Sequence, residues 1–314
     1  MVGFLSATLN GILVAGLYTM MSFGLALIYG VMKLVNLAHA GFIMLGAYAT
    51  FALYSQFGLD PFLTGIITGP LFFFIGMGLH KYVVRRLPES GNTPAVQSLL
   101  LLFGVWLVLQ NLGYLIWGGD TRSILTSYTM KSVSLGPILI AMPQLMVFLV
   151  TSVTGIALNY VLAKTYLGKA IRAVTQNKGA AQLVGINAPR IQMIAFGLGI
   201  ALAAMAGGLT STIYPFTPDF GRSFLLKAFV VTVLGGMESF WGVAFGAGLI
   251  ALLEQYSAMY NFYPNVFTDA VTFTLLVVAL VVMPKGLPSV GNQLVKFVQP
   301  WFEKTFGRKA VAGS

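Results

Sequence analysis

No charged residue precedes Lys33, and stretches of the same apolar kind recur as far as residue 283. A helix that spans a bilayer needs roughly 20 predominantly apolar residues, and a soluble fold has no use for so many of them. Polar breaks divide the chain into segments near 6–32, 37–56, 61–81, 94–117, 138–163, 190–213, 224–237, 240–259 and 265–283. The expectation is an all-α polytopic membrane protein with about 8–9 transmembrane helices, some of them short or re-entrant. Composition agrees: 57% of residues are hydrophobic and 8% charged, against about 25% charged in a soluble domain.

A net charge of +10 would point to nucleic acid in a soluble protein, but here the cations lie in short clusters between apolar runs. That is the footprint of the positive-inside rule, so no nucleic-acid partner is expected. Lys81, Arg85 and Arg86 form one cluster, and Lys164, Lys169, Arg172, Lys178 and Arg190 another. Both belong on the cytoplasmic side, with Lys33 and a basic tail holding Lys285, Lys296, Lys304, Arg308 and Lys309. The opposite loops carry only Arg122, Lys131, Arg222 and Lys227. Nine crossings then place the N-terminus outside and the C-terminus inside a bacterial-type cytoplasmic (inner) membrane. Residues 1–290 form the membrane domain and 291–314 a basic cytoplasmic tail. The apolar start lacks the charged region of a secretory signal, so it is expected to be retained as a helix.

Local chemistry fixes some boundaries. Asp60-Pro61 and Thr93-Pro94 each put a capping side chain before a proline, and Asn36-Leu37, Gly136-Pro137 and Asn187 ahead of Pro189 are weaker helix starts. Segment 224–237 is too short for a straight crossing and reads as broken or re-entrant. Gly65-x-x-x-Gly69 and Gly242-x-x-x-Gly246 match a close-packing pattern that glycine-rich chains also produce by chance. The first and last thirds share a loose order of apolar helix, polar break and glycine-rich helix, as internal repeats of transporters do.

The catalytic inventory is sparse. Asp60, Glu89, Asp120, Asp219 and Glu303 fall in loops or the tail, Glu238 at a break, and Glu254 and Asp269 near outer helix ends. With no carboxylate placed at mid-membrane, ion-coupled transport is disfavoured. Cysteine is absent, which excludes thiolate metal sites and nucleophiles. No phosphate cradle occurs, since Gly168-Lys169 is followed by Ala170 without the upstream glycine spacing. The chain is expected to be no enzyme and to hold no metal or cofactor. His80 reads as an interfacial residue. His39, in Asn36-Leu37-Ala38-His39-Ala40-Gly41, has two readings: with Asn36 it caps a helix end, or it belongs to the solute path.

The longest inside loop, TYLGKAIRAVTQNKGAAQLVGINAPR, has a helical pattern. Ala170, Ala173 and Val174 share a face, and Leu183 with Ile186 continue an apolar surface beyond the break at Asn177-Lys178-Gly179. Two short amphipathic helices result, lying on lipid headgroups or docking a cytoplasmic partner.

This loop resembles the coupling region of permeases in the branched-chain amino-acid (Liv-type) ABC importer family. YGVMKLVNLAHAGFIMLGAY at 29–48, LLKAFVVTVLGGMESFWGVAFGA at 225–247 and MPKGL at 283–287 continue the resemblance in order, closer to the shorter H-type than to the M-type permease. It implies an ABC importer permease fold working by alternating access. The implied partners are a second permease subunit, two cytoplasmic ATPases that bind ATP and Mg, and an external solute-binding protein. By resemblance Gly168, Lys169, Arg172, Ala173, Asn177, Ala180, Ala181 and Gly185, within residues 164–190, contact an ATPase. Asn36, His39, Gly46, Tyr48, Gly235, Gly236 and Glu238 belong to the solute path. The chain departs from the family pattern at Ala40 and Gly41, where Gly and an acid are usual. It departs again at Glu238, where Gly is usual, and at Trp241, where proline is common. Glu238 either alters the path or faces water or a basic residue. Branched-chain amino acids lead as substrate, with other amino acids, urea or amides and small carboxylates open. A self-contained channel or secondary transporter is the reading from another class.

Overall fold

The computed structural model describes residues 2–87, 94–136, 138–236 and 239–259, together with Thr274 and Val277 in helix. Apart from Thr274 and Val277, the ninth apolar segment lies outside the described residues, as do MPKGL, the tail and Glu238. The helices are α1 (Val2–Met32), α2 (His39–Phe57), α3 (Gly65–Tyr82), α4 (Pro94–Trp117), α5 (Met142–Lys164), α6 (Tyr166–Gln176), α7 (Lys178–Leu183), α8 (Ala188–Thr210), α9 (Phe220–Gly235) and α10 (Phe240–Met259). The fold is helical and polytopic. Among the described residues, six helices are long and apolar enough to cross a membrane: α1, α3, α4, α5, α8 and α10.

Burial sorts these helices. In α1 and α8 about three quarters of the most apolar stretch is buried (72% and 78%), whereas α4 and α5 bury only 11% and 17%. Helices that are apolar all round and uncovered by protein require an apolar solvent, so α4 and α5 face lipid or a partner subunit while α1 and α8 form the axis. α1 packs along α8, α10, α5 and α9, and α8 also holds α2 and α3. The α2–α8 contact is backbone to backbone. A Cβ at Gly46 would overlap the Ala204 carbonyl, and one at Gly207 would overlap the Ile43 carbonyl.

Several boundaries differ from those expected. α2 begins at His39, and the His39 ring reaches the Met21 carbonyl, eleven residues before the end of α1. At 1.5 Å per residue that is about 16 Å from the end of α1. Residues 33–38 therefore run back into the bundle, and α2 starts inside it. Asn36 caps nothing, because neither atom of its amide has a partner. Lys33 starts this return with φ 55, a left-handed conformation that a sequence pattern does not reveal. α3 begins at Gly65, not 61: Asp60 Oδ1 accepts the Phe62 amide at 2.9 Å and so holds a turn ahead of the helix. Ser132–Leu135 and Ile138–Ala141 pair as an antiparallel hairpin, which delays α5 to Met142. α9 begins at Phe220 and absorbs Arg222 and Lys227, which had been assigned to a loop. Its 16 residues extend about 24 Å, short of the bilayer core of about 30 Å as expected. Pro94 and Asn187 start helices as predicted, and the Asn187 carboxamide oxygen accepts the Arg190 amide at 3.1 Å.

Candidate functional site

The loop after α5 folds into the two short helices its periodicity predicts. Thr165 Oγ1 accepts the Gly168 amide at 3.3 Å and caps α6; Asn177 Oδ1 accepts the Ala180 amide at 2.9 Å and caps α7. Each cap supplies an acceptor for a helix-start N–H that has no partner within its helix. Ala170, Ile171, Val174 and Ala181 are buried against Val31, Ala188, Ile191 and Ala195, so the pair is anchored to the ends of α1 and α8.

That anchoring divides the residues assigned to a partner. Lys169, Arg172, Asn177, Ala180 and Gly185 are exposed, Ala173 is half-buried, and Gly168 and Ala181 are buried. Gly168 sits where the chain folds back on α5, and a Cβ there would overlap the Leu162 carbonyl; it shapes the turn. Leu183, expected with Ile186 to continue an apolar surface, is 90% exposed and the adjacent Val184 75% exposed. α7 ends at Leu183 and Gly185 turns the chain at φ 83. Only Ile186 packs back against the cluster. Two uncovered aliphatic side chains thus belong to the same coupling region as the exposed Lys169 and Arg172.

A second group lies inside the bundle. His39 is fully buried, and its Nε2 donates to the Met21 carbonyl at 3.0 Å, leaving Nδ1 without a partner. Asn36, 1% exposed, has both amide atoms unpartnered, and so is Ser22 Oγ. Thr232 Oγ1 on α9 lies 3.2 Å from the Ser22 carbonyl. α1, the start of α2 and α9 thus converge on a polar island in an apolar core. Each buried polar atom without a partner costs on the order of 1–3 kcal/mol, so such an island is not a packing solution.

The other residues assigned to the path lie elsewhere. Gly46 belongs to the α2–α8 seam. Tyr48 lies nine residues beyond His39, stacked on Trp117 at 4.4 Å and edge-on to Phe216 at 5.1 Å. Arg122 closes that aromatic cluster, donating from Nη2 to the Trp117 carbonyl at 3.0 Å and pairing by backbone with Phe216. Gly235 permits contact with α10, since a Cβ there would come within 2.5 Å of the Gly242 carbonyl. Gly236 ends α9 at φ 83. A Cβ on Gly246 would lie 2.9 Å from the Val231 carbonyl, so Gly242-x-x-x-Gly246 does mark a close helix pair; Gly65 and Gly69 meet only the flexible Met205 side chain.

Sequence reasoning missed a buried ion pair. Lys227 Nζ on α9 lies 3.0 Å from Glu254 Oε1 on α10, with the side chains 15% and 7% exposed. Tyr18 on α1 donates to Glu254 Oε2 at 2.6 Å, and Lys227 donates to the Tyr18 hydroxyl at 3.2 Å. A buried, paired carboxylate therefore sits five residues from the end of α10, where an acid near a helix end was expected. A charged residue assigned to a loop can equally be a paired one within a helix.

An axis of buried apolar helices, lipid-type outer helices, a polar island within the core and an outward-presented pair of short helices together define a multi-pass membrane permease. Residues 7–280 match the family described as branched-chain amino acid transport system / permease component, and the chain belongs to that family. It is similar to the high-affinity branched-chain amino acid transport system permease protein BraD of Pseudomonas aeruginosa, 28% identical over 90% of this chain and 95% of that protein. LivH of Salmonella typhimurium is 27% identical over 90% and 95%, and LivM of the same organism 25% over 86% and 67%. No solved structure matches the chain. The protein is thus a permease subunit of an ABC importer and not an enzyme, and the family match, not an acid count, carries that conclusion.

Proposed function

We propose that this permease conducts branched-chain amino acids, with a second permease subunit beside it and two cytoplasmic ATPases docked on α6 and α7. An external binding protein delivers the solute, and ATP with Mg is used only in the ATPases. The observation that carries this reading is the coupling region. Its inner face is fixed to α1 and α8, while Leu183, Val184 and Lys169 are exposed on that mount and Arg172 donates to the Leu162 carbonyl at 2.6 Å. Exposed aliphatics flanked by cations suit the apolar core and polar rim of a protein interface. The cations at this end, Lys33, Arg85, Lys178 and Arg190, support a cytoplasmic location, which puts the N-terminus of α1 outside. The C-terminal tail follows on the cytoplasmic side.

In this reading the island of Ser22, Asn36, His39 and Thr232 is the polar station of the path, its unpartnered atoms awaiting water or the amino and carboxylate groups of the solute. Gly235, Gly236 and Glu238 are assigned to the same path, the last of them outside the described residues. Replacing Leu183 and Val184 together with Glu, then isolating the complex in mild detergent, tests the docking. The expected result is membrane insertion at wild-type level with the ATPase subunits lost and uptake of radiolabelled leucine abolished. Full ATPase recovery with normal uptake would refute it. Uptake of leucine, urea and a small carboxylate by the wild type separates the substrate classes.

A further inference from the structure

Away from α6 and α7, where α4 stops at Trp117, two buried polar groups lack what their surroundings should supply. Tyr48 is fully buried and its hydroxyl has no partner, and the buried Nε of Arg122 has none either. Both belong to one aromatic box. Tyr48 stacks on Trp117 and meets Phe216 edge-on. The Arg122 guanidinium lies 5.2 Å from the centre of the Phe51 ring and donates to the Trp117 carbonyl, and the Arg122 main chain pairs with that of Phe216 in both directions. Met44 and Ile124 make the remaining wall apolar.

The charge of Arg122 is also unbalanced. Among the described residues no carboxylate pairs with it: Asp120 is exposed, and Asp219 accepts from Gln110 Nε2 at 2.7 Å. A guanidinium can only donate and a phenol beside a cation donates to any shared anion, so what the box lacks is an anionic acceptor. A carboxylate has two oxygens, one for each donor. We infer that this box is an outer subsite for the α-carboxylate of the solute, held by Arg122 Nε and the Tyr48 hydroxyl, with the aromatic rings around its aliphatic side chain. The inference rests on the amino-acid permease reading and names the group by which that solute is first held. The described residues of the box include no acid, so it recognises the carboxylate and not the ammonium. Trp117 is its movable wall: α4 packs chiefly along α2, and Gly118, at φ 74, follows the ring directly. Tyr48 lies nine residues beyond His39, about 14 Å along α2, so box and polar island are successive stations on one helix.

The test measures equilibrium binding of radiolabelled leucine to the assembled complex in lipid nanodiscs without the external binding protein. Two competitors are added: 4-methylpentanoate, which keeps the carboxylate and lacks the ammonium, and leucine amide, which keeps the ammonium and lacks the carboxylate. The carboxylate should displace leucine and the amide should not. Arg122→Gln should weaken binding about tenfold or more, with part of the loss recovered in Arg122→Lys, and Tyr48→Phe, which keeps the ring on Trp117, should weaken it about threefold to tenfold. Leucine binding unchanged in both Arg122→Gln and Tyr48→Phe, or equal displacement by the two competitors, would overturn the subsite and leave the two orphaned groups to a buried water. Leucine uptake by the wild-type importer reports separately on the amino-acid reading. Uptake that is normal in both variants sinks the subsite alone; absent uptake together with Arg122-dependent binding of 4-methylpentanoate keeps the carboxylate site and sinks the amino acid as its occupant.

Discussion

The ion pair joining α9 to α10 offers the sharpest energetic test of how this bundle is held. At 3.0 Å and an effective dielectric of about 20, the Coulomb attraction is about 5–6 kcal/mol before desolvation. Desolvation of two ions costs several kcal/mol each, so the net contribution of the intact pair is near zero. Removing one partner is another matter. Glu254→Gln leaves the Lys227 ammonium, 15% exposed, facing Tyr18 with no counter-charge, and Lys227→Met strands the carboxylate. Each should cost about 3–5 kcal/mol. The double variant Lys227→Met with Glu254→Leu removes both charges and should lie within about 2 kcal/mol of wild type. Thermal unfolding of the purified chain in mild detergent, followed by tryptophan fluorescence, should show the single variants melting on the order of 10 °C lower and the double variant recovering most of that. If the double instead falls by the sum of the two single losses, the coupling is absent and the pair is a packing contact that happens to be charged.

Three other perturbations have defined outcomes. Asn36→Leu removes a buried amide with no partner, so melting should hold or rise by about 1–3 kcal/mol while leucine uptake is lost; unchanged uptake would remove Asn36 from the path. Gly46→Ala drives a methyl into the Ala204 carbonyl and should cost about 3 kcal/mol or more, read as loss of monodisperse protein on size-exclusion chromatography. Tyr128, outside the spans, has its phenol pushed above the usual 10.0 by burial and then by its hydrogen bond to Asp60. A raised phenol stabilises the fold below about pH 10, and that contribution disappears as pH climbs through the folded-state value. Protection of residues 118–131 against hydrogen exchange, taken relative to the intrinsic base-catalysed rate, should therefore fall above pH 10 in wild type and stay level in Tyr128→Phe.

The sequence was most legible where a local rule acts alone. The coupling helices follow from Thr165 and Asn177 as caps and from a face of Ala170 and Val174 that cannot bury itself; Pro94 and Asn187 likewise mark helix starts through their own chemistry. It was least legible where distant segments decide. Nothing near residue 37 announces that the chain re-enters the bundle before forming α2, because the cause is the Met21 carbonyl eighteen residues back. Lys227 was assigned to a loop because its counter-charge is on another helix. Within the assigned path, Asn36 and His39 come together, whereas Gly46 and Tyr48 share only the helix that carries them, their positions set by Ala204 and by Trp117.

The seam at Gly46 and Gly207 also limits how the molecule can move. Two helices whose main chains touch directly have no layer of side chains able to switch rotamers and settle one notch along, so α2 and α8 must travel as a single piece. The start of α9 meets α2 in the same way at Gly221 and Ala40, and α1 meets α8 at Gly24 and Gly199, so the helices that enclose the polar island move as one body and hold its groups in a fixed arrangement.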